Sequence, residues 1–232
     1  MSAPSSEDRI RELVRDLRPV RPIPALRTEV AVVAAGGLAM VLLGWRFGAL
    51  VPRQCVDSAW SDPRFLAILV GLALGAIGAI SAALASAVPD RERVVRIGFR
   101  IGMLGILLTL ASGFFGVARS ALDLSPSAVS AAVTCLVTSW VLGFASCAVA
   151  CVFIVRSALR RPDASAALAI AGSGALGAFA VHAHCPAGDA LHQLVAHAAA
   201  PLIAVAVLTP LVSVVLRYGT RYVRLDGPRP KS

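Results

Sequence analysis

The chain has 232 residues, 57% of them apolar and only 15% charged, with a mean hydropathy of +0.78 and a formal net charge of +9. That much apolar surface exceeds what the core of a soluble domain of this length absorbs, so a water-soluble enzyme fold is excluded. The basic excess sits beside apolar runs, where membrane topology and anionic headgroups account for it, so no direct nucleic-acid partner is expected.

The first 28 residues form a segment of their own. Ser5 and Asp8 resemble a capping box, and Ile10, Leu13, Val14 and Leu17 recur at helical spacing opposite Asp8, Arg9, Glu12, Arg15 and Asp16. This predicts a short cytoplasmic amphipathic helix. Pro19, Pro22 and Pro24 then forbid helix and favour a stiff extended spacer. Such a helix can rest on headgroups or enter a groove on a cytosolic protein. Charges of both signs favour the protein partner, because helices that lie on lipid are usually plainly basic. Ile10, Leu13, Val14, Leu17, Arg18, Pro19 and Arg21 are the candidate partner-binding residues.

Six stretches free of Asp, Glu, Lys and Arg follow, at 30–45, 65–89, 101–118, 124–155, 164–186 and 190–216. Each approaches or exceeds the roughly 18 to 20 residues that span about 30 Å of hydrocarbon. They are rich in Ala, Leu and Gly and lack the alternation of barrel strands, so they predict helices that satisfy their own backbone in lipid. The fold class is therefore all-α: an integral membrane bundle of six transmembrane helices over 29–216, with a basic cytoplasmic tail at 217–232. Gly71 with Gly75, Gly98 with Gly102 and Ser173 with Gly177 have the spacing of close helix contacts. The first apolar run follows about 29 mostly polar residues, too long a lead for a cleaved signal peptide, so the first helix is expected to stay.

Basic residues set the orientation. They gather before the first span, between the second and third (Arg91, Arg93, Arg96, Arg100), between the fourth and fifth (Arg156, Arg160, Arg161) and in the tail. Of 22 basic residues only Arg46, Arg53, Arg64 and Arg119 remain for the other face. Both termini are therefore expected in the cytoplasm, with the lipid bilayer itself as one partner.

Five cysteines and four histidines carry the distinctive chemistry. His182, His184, His192 and His197 all fall around the turn between the fifth and sixth spans, together with Cys185. Cys55 lies in the first outer loop and Cys135 within about two turns of the start of the fourth helix. Two chemistries fit. Thiols facing an oxidising compartment can form and break a disulfide, which makes Cys135, Cys185 and Cys55 redox-sensing candidates. Alternatively His182, His184, Cys185, His192 and His197 offer soft ligands for a transient thiophilic metal ion, with no resident cofactor required. Cys147 and Cys151, at i and i+4, read as small packing residues. No span carries a midplane charge, which disfavours a coupled transporter. With no phosphate loop and no nucleophilic serine motif, no enzyme activity is expected.

Asp16-Leu17-Arg18-Pro19-Val20-Arg21-Pro22 before the first span, the six-helix layout over nearly the whole chain, and His184-Cys185-Pro186 followed by His197 together resemble the NrsF-type membrane anti-sigma factors. The resemblance implies a multi-pass protein of the bacterial inner membrane that negatively regulates transcription in a stress response. Its cytoplasmic face would sequester an extracytoplasmic-function sigma factor, and an outer-face redox or metal signal would release it. In that family a cysteine of the fourth helix and one of the His-Cys-Pro turn are tied to sensing, which maps onto Cys135 and Cys185. Cys55, His182 and His192 depart from the family pattern. Two other readings remain: a membrane oxidoreductase exchanging disulfides or ligating haem, against which the absence of CxxC counts, and a metal permease.

Overall fold

The computed structural model describes Glu7 and residues 24–46, 61–119, 124–157, 161–185 and 189–225. Among these there is no strand, and six helical segments are long and apolar enough to cross a bilayer. We label them α1 (Leu26–Arg46), α2 (Pro63–Ser86), α3 (Glu92–Arg119), α4 (Pro126–Val155), α5 (Pro162–His184) and α6 (Ala200–Leu225), the last being entered through an irregular segment described below. The all-α bundle expected from hydropathy is the observed architecture. Cys55 and the arm residues Ile10, Leu13, Val14, Leu17, Arg18, Pro19 and Arg21 lie outside the described residues.

Local chemistry sets several helix starts. Pro63, Pro126 and Pro162 each occupy the first turn, where the missing N–H is no loss and the fixed φ suits the helix. The Asp62 carboxylate accepts from the Arg64 backbone N–H at 2.9 Å, and the Ser125 hydroxyl accepts from the Ala128 N–H at 3.3 Å. Between α2 and α3 the chain turns through Asp90 at φ 67°, a left-handed position that Asp tolerates better than most side chains.

Small residues set how the helices meet. A Cβ on Gly78 would strike the backbone of Gly98 and Gly102, and one on Gly105 would strike Gly71 and Gly75, so α2 and α3 touch backbone to backbone. Likewise α4 and α5 cross where Gly143 meets the Ser173 carbonyl and Gly177 meets that of Ser139. The arm-bearing helix α1 packs chiefly on α4, and the Ser146 hydroxyl donates to the Val33 carbonyl at 3.1 Å.

Away from the α5–α6 turn, the bundle closes on one cluster. It contains Val33 of α1, Ile80 and Leu84 of α2, Ile154 of α4, Ala166 of α5 and Leu216 of α6. Helix α6 extends past 216, the expected end of the membrane-spanning region. It continues through Arg217, whose guanidinium nitrogen donates to both carboxylate oxygens of Asp163 at 2.8 and 2.7 Å.

Candidate functional site

The turn after α5 is built to gather side chains. Cys185 caps α5, its N–H donating to the Val181 carbonyl at 2.7 Å. Asp189 then opens a short helical turn, Ala190–His192, by accepting from the His192 N–H at 2.7 Å, which fixes where His192 starts.

From there the chain runs as a π-helix, Gln193–Ala198, before α6 begins. Its wider ladder is visible in the Ala199 N–H, which reaches the Leu194 carbonyl five residues back at 2.8 Å. Residues five apart would point about 140° away from each other on an α-helix. In this segment His192 and His197 face each other instead, with ring centroids 5.2 Å apart. Pro201 supplies a cause: it has no N–H for the His197 carbonyl four residues earlier and its ring crowds that carbonyl, so the regular ladder fails there. The Trp140 indole N–H of α4 donates to the neighbouring Ala200 carbonyl at 3.3 Å.

Four ligand-bearing side chains converge at this point. One donor atom from each of Cys135, Cys185, His192 and His197 lies within 4.8 Å of every other. The Cys135 and Cys185 sulfurs are 3.6 Å apart, and Cys185 Sγ is 3.3 Å from His192 Nε2. Zinc bonds of about 2.3 Å to sulfur and 2.0–2.1 Å to nitrogen, at tetrahedral angles, place two sulfurs about 3.8 Å apart and a sulfur about 3.6 Å from a nitrogen. The Cys135–Cys185 and Cys185–His192 separations differ from those by a few tenths of an ångström, and the whole set, within 4.8 Å, has to draw in further to hold an ion. A disulfide of about 2.05 Å requires the two sulfurs to close much further.

Burial sharpens the chemistry. His192 is 2% exposed, His197 fully buried and Cys185 6% exposed, while Cys135 is half-buried. The His192 Nδ1 is buried with no hydrogen-bond partner among the described residues. Soft donors and low water access together suit a thiophilic cation.

The other residues singled out in the sequence fall elsewhere. His182 stacks on Phe65 with centroids 4.6 Å apart, its Nε2 lies 3.3 Å from the Phe65 carbonyl, and the His197 ring meets it edge-on at 5.0 Å. It therefore backs the cluster without adding a donor to it. His184 turns its Nδ1 to the Ala180 carbonyl of its own helix at 2.8 Å. Cys147 and Cys151 line a separate apolar cavity of about 340 Å³ between α4, α5 and α6. Asp189 and the π-helical segment were missed in the sequence; Pro201, four residues after His197, was the available signal.

A family model described as NrsF, negative regulator of sigma F, matches residues 13–218. Neither the curated proteins nor the solved structures yield a match. The chain belongs to the NrsF family, and its function is negative regulation of a sigma factor.

Proposed function

We propose that this NrsF-family regulator sits in a bacterial inner membrane with both ends in the cytoplasm. There its N-terminal arm sequesters an extracytoplasmic-function sigma factor, and capture of a thiophilic divalent ion by Cys135, Cys185, His192 and His197 on the outer side releases it. The observation that carries this reading is the convergence of four soft donors from α4, the end of α5 and the entry to α6 within 4.8 Å. The alternating arginine-rich loops support the orientation.

The ligands belong to three segments, so an ion that draws them together stabilises one helix packing over another. Swinging a partner from mostly held to mostly free needs about 5.5 kcal/mol of preference between two states. Structural zinc sites contribute about 10–16 kcal/mol in small peptides near neutral pH, more than enough. Helix α4 is the physical link. It carries Cys135 near one end and Ile154 near the other, about 28 Å away at 1.5 Å per residue, where Ile154 joins the cluster that holds α1.

The test is a calorimetric titration of the full chain in detergent with Zn(II) or Cd(II). One ion per chain is expected, with affinity lost in the Cys135→Ser/Cys185→Ser variant, reduced at least tenfold in His192→Ala, and unchanged in His184→Ala. Equal losses in His184→Ala and His192→Ala would overturn the assignment.

Cys135 and Cys185 are also neighbouring thiols whose sulfurs have to close from 3.6 Å to about 2.05 Å, which supports a second reading, oxidative closure of the pair. In that step a peroxide accepts two electrons and the thiols give up two protons as the S–S bond forms. Loss of two free thiols on peroxide treatment, absent in the double-serine variant, distinguishes it.

A further inference from the structure

We infer that the bundle carries a binding site for an anionic glycerophospholipid between α3 and α5, at the end where the arginine-rich α2–α3 and α4–α5 loops lie. Helix α2 packs against both α3 and α5, and the space between those two is left as a groove of about 510 Å³ floored by Ala79. The α5 side offers only Ala164, Ala167 and Ala171 beside Leu168, and the α3 side includes Gly102, so no side chain fills the groove from within. Phe99 and Met103 of α3 and Leu202 of α6 stand exposed on its rim, facing where the bilayer would be. An apolar groove in that position excludes water and leaves its lining short of dispersion contacts unless hydrocarbon enters.

The groove also has a charged mouth. Arg96 and Arg100 line it, and Arg96, Val95, Ala164 and Leu168 are shared with an adjoining wider recess of about 570 Å³ that Arg161 also borders. None of these three arginines makes an ion pair among the described residues, whereas Arg64, Arg91 and Arg217 each do. Asp90 and Glu92 border the same recess and oppose an anion there, while Asp163, nearby on α5, is engaged by Arg217. Three unpaired guanidiniums against two carboxylates leave a net positive mouth on an acyl-chain groove. Guanidinium pairs with phosphate through parallel N–H donors, and basic pockets between membrane helices bind anionic headgroups. The continuity of chain groove and headgroup mouth is what selects a phospholipid over a free anion.

The site rests on the proposed orientation only for the leaflet that supplies the lipid. Binding is measured in detergent, where no leaflet exists, so a reversed topology or a failed sigma-factor assay leaves the result standing. Native mass spectrometry of the full chain with added dioleoylphosphatidylglycerol is expected to retain one lipid, about tenfold more than dioleoylphosphatidylcholine. Arg96→Gln/Arg161→Gln should erase that preference, Ala167→Trp should reduce retention of both lipids, and Arg119→Gln at the opposite end should change nothing. Equal retention of the two lipids by the parent, an unchanged preference in Arg96→Gln/Arg161→Gln, or displacement by inorganic phosphate at the lipid's own concentration would each overturn the proposal.

Discussion

Glu29 is 2% exposed in the first turns of α1, and the Arg91 guanidinium, itself 22% exposed, reaches it at 3.4 Å while also donating to the Pro24 carbonyl at the same distance. This one side chain joins the α2–α3 turn to the start of α1. Removing one partner of a fully buried pair costs about 3–5 kcal/mol, and less is expected here because Arg91 is partly exposed, whereas replacing both with apolar groups is often close to neutral. Arg91→Ala is therefore expected to lower the thermal midpoint of the purified chain by several degrees, and Glu29→Leu added to it should recover most of the loss. A double variant no more stable than Arg91→Ala alone would show that the pair is not the cause. The sequence placed Arg91 in a basic loop and Glu29 just before an apolar run, but their pairing depends on how α1 rotates against α2, which composition does not set. The same limit applied to the histidines. Their window was legible, yet His184 and His197 were equivalent in it until helix rotation turned one to its own backbone and the other into the cluster.

At the level of elements, the six spans were legible because length and hydropathy alone decide them, and three helix starts were written as a proline in the first turn. The glycine spacings of α2 and α3 also fall at the closest backbone contacts, since only residues without side chains allow that approach. The π-helical entry to α6 left no trace in apolar periodicity, which carries no mark of one extra residue in a turn, and Pro201 was its only sign in the sequence. Its role is open to test through Pro201. In Pro201→Ala the His197 carbonyl regains an N–H donor, the segment relaxes toward α-helix, and His192 and His197 diverge. Ion affinity should fall by about 10–100-fold, the range for losing a group that orients a ligand. Deleting Val195 in that background returns the histidines to i, i+4 on one face and should restore affinity, with calorimetry as the check. Failure of the deletion to restore binding would mean that the segment matters for some other reason.

At the scale of the molecule, the donor cluster and the cluster around Val33, Ile154 and Leu216 lie toward opposite ends of the same helices. The donors come from α4, the residue that caps α5 and the segment entering α6, and the contacts among these helices run through small residues at Gly143, Ser173 and Gly174, where one packing can give way to another. Family membership supplies the output, negative regulation of a sigma factor, and the donor set supplies an input. The proposed account joins them: ion capture at one end changes how the other end presents the arm. The direct measurement is co-purification of the cognate sigma factor with the full-length membrane protein, before and after Cd(II) is added from the outer side. The account predicts that Cd(II) removes most of the bound sigma factor from the parent and none from Cys135→Ser/Cys185→Ser. Equal release from both proteins, or full retention by a parent shown to have bound the ion, would contradict it.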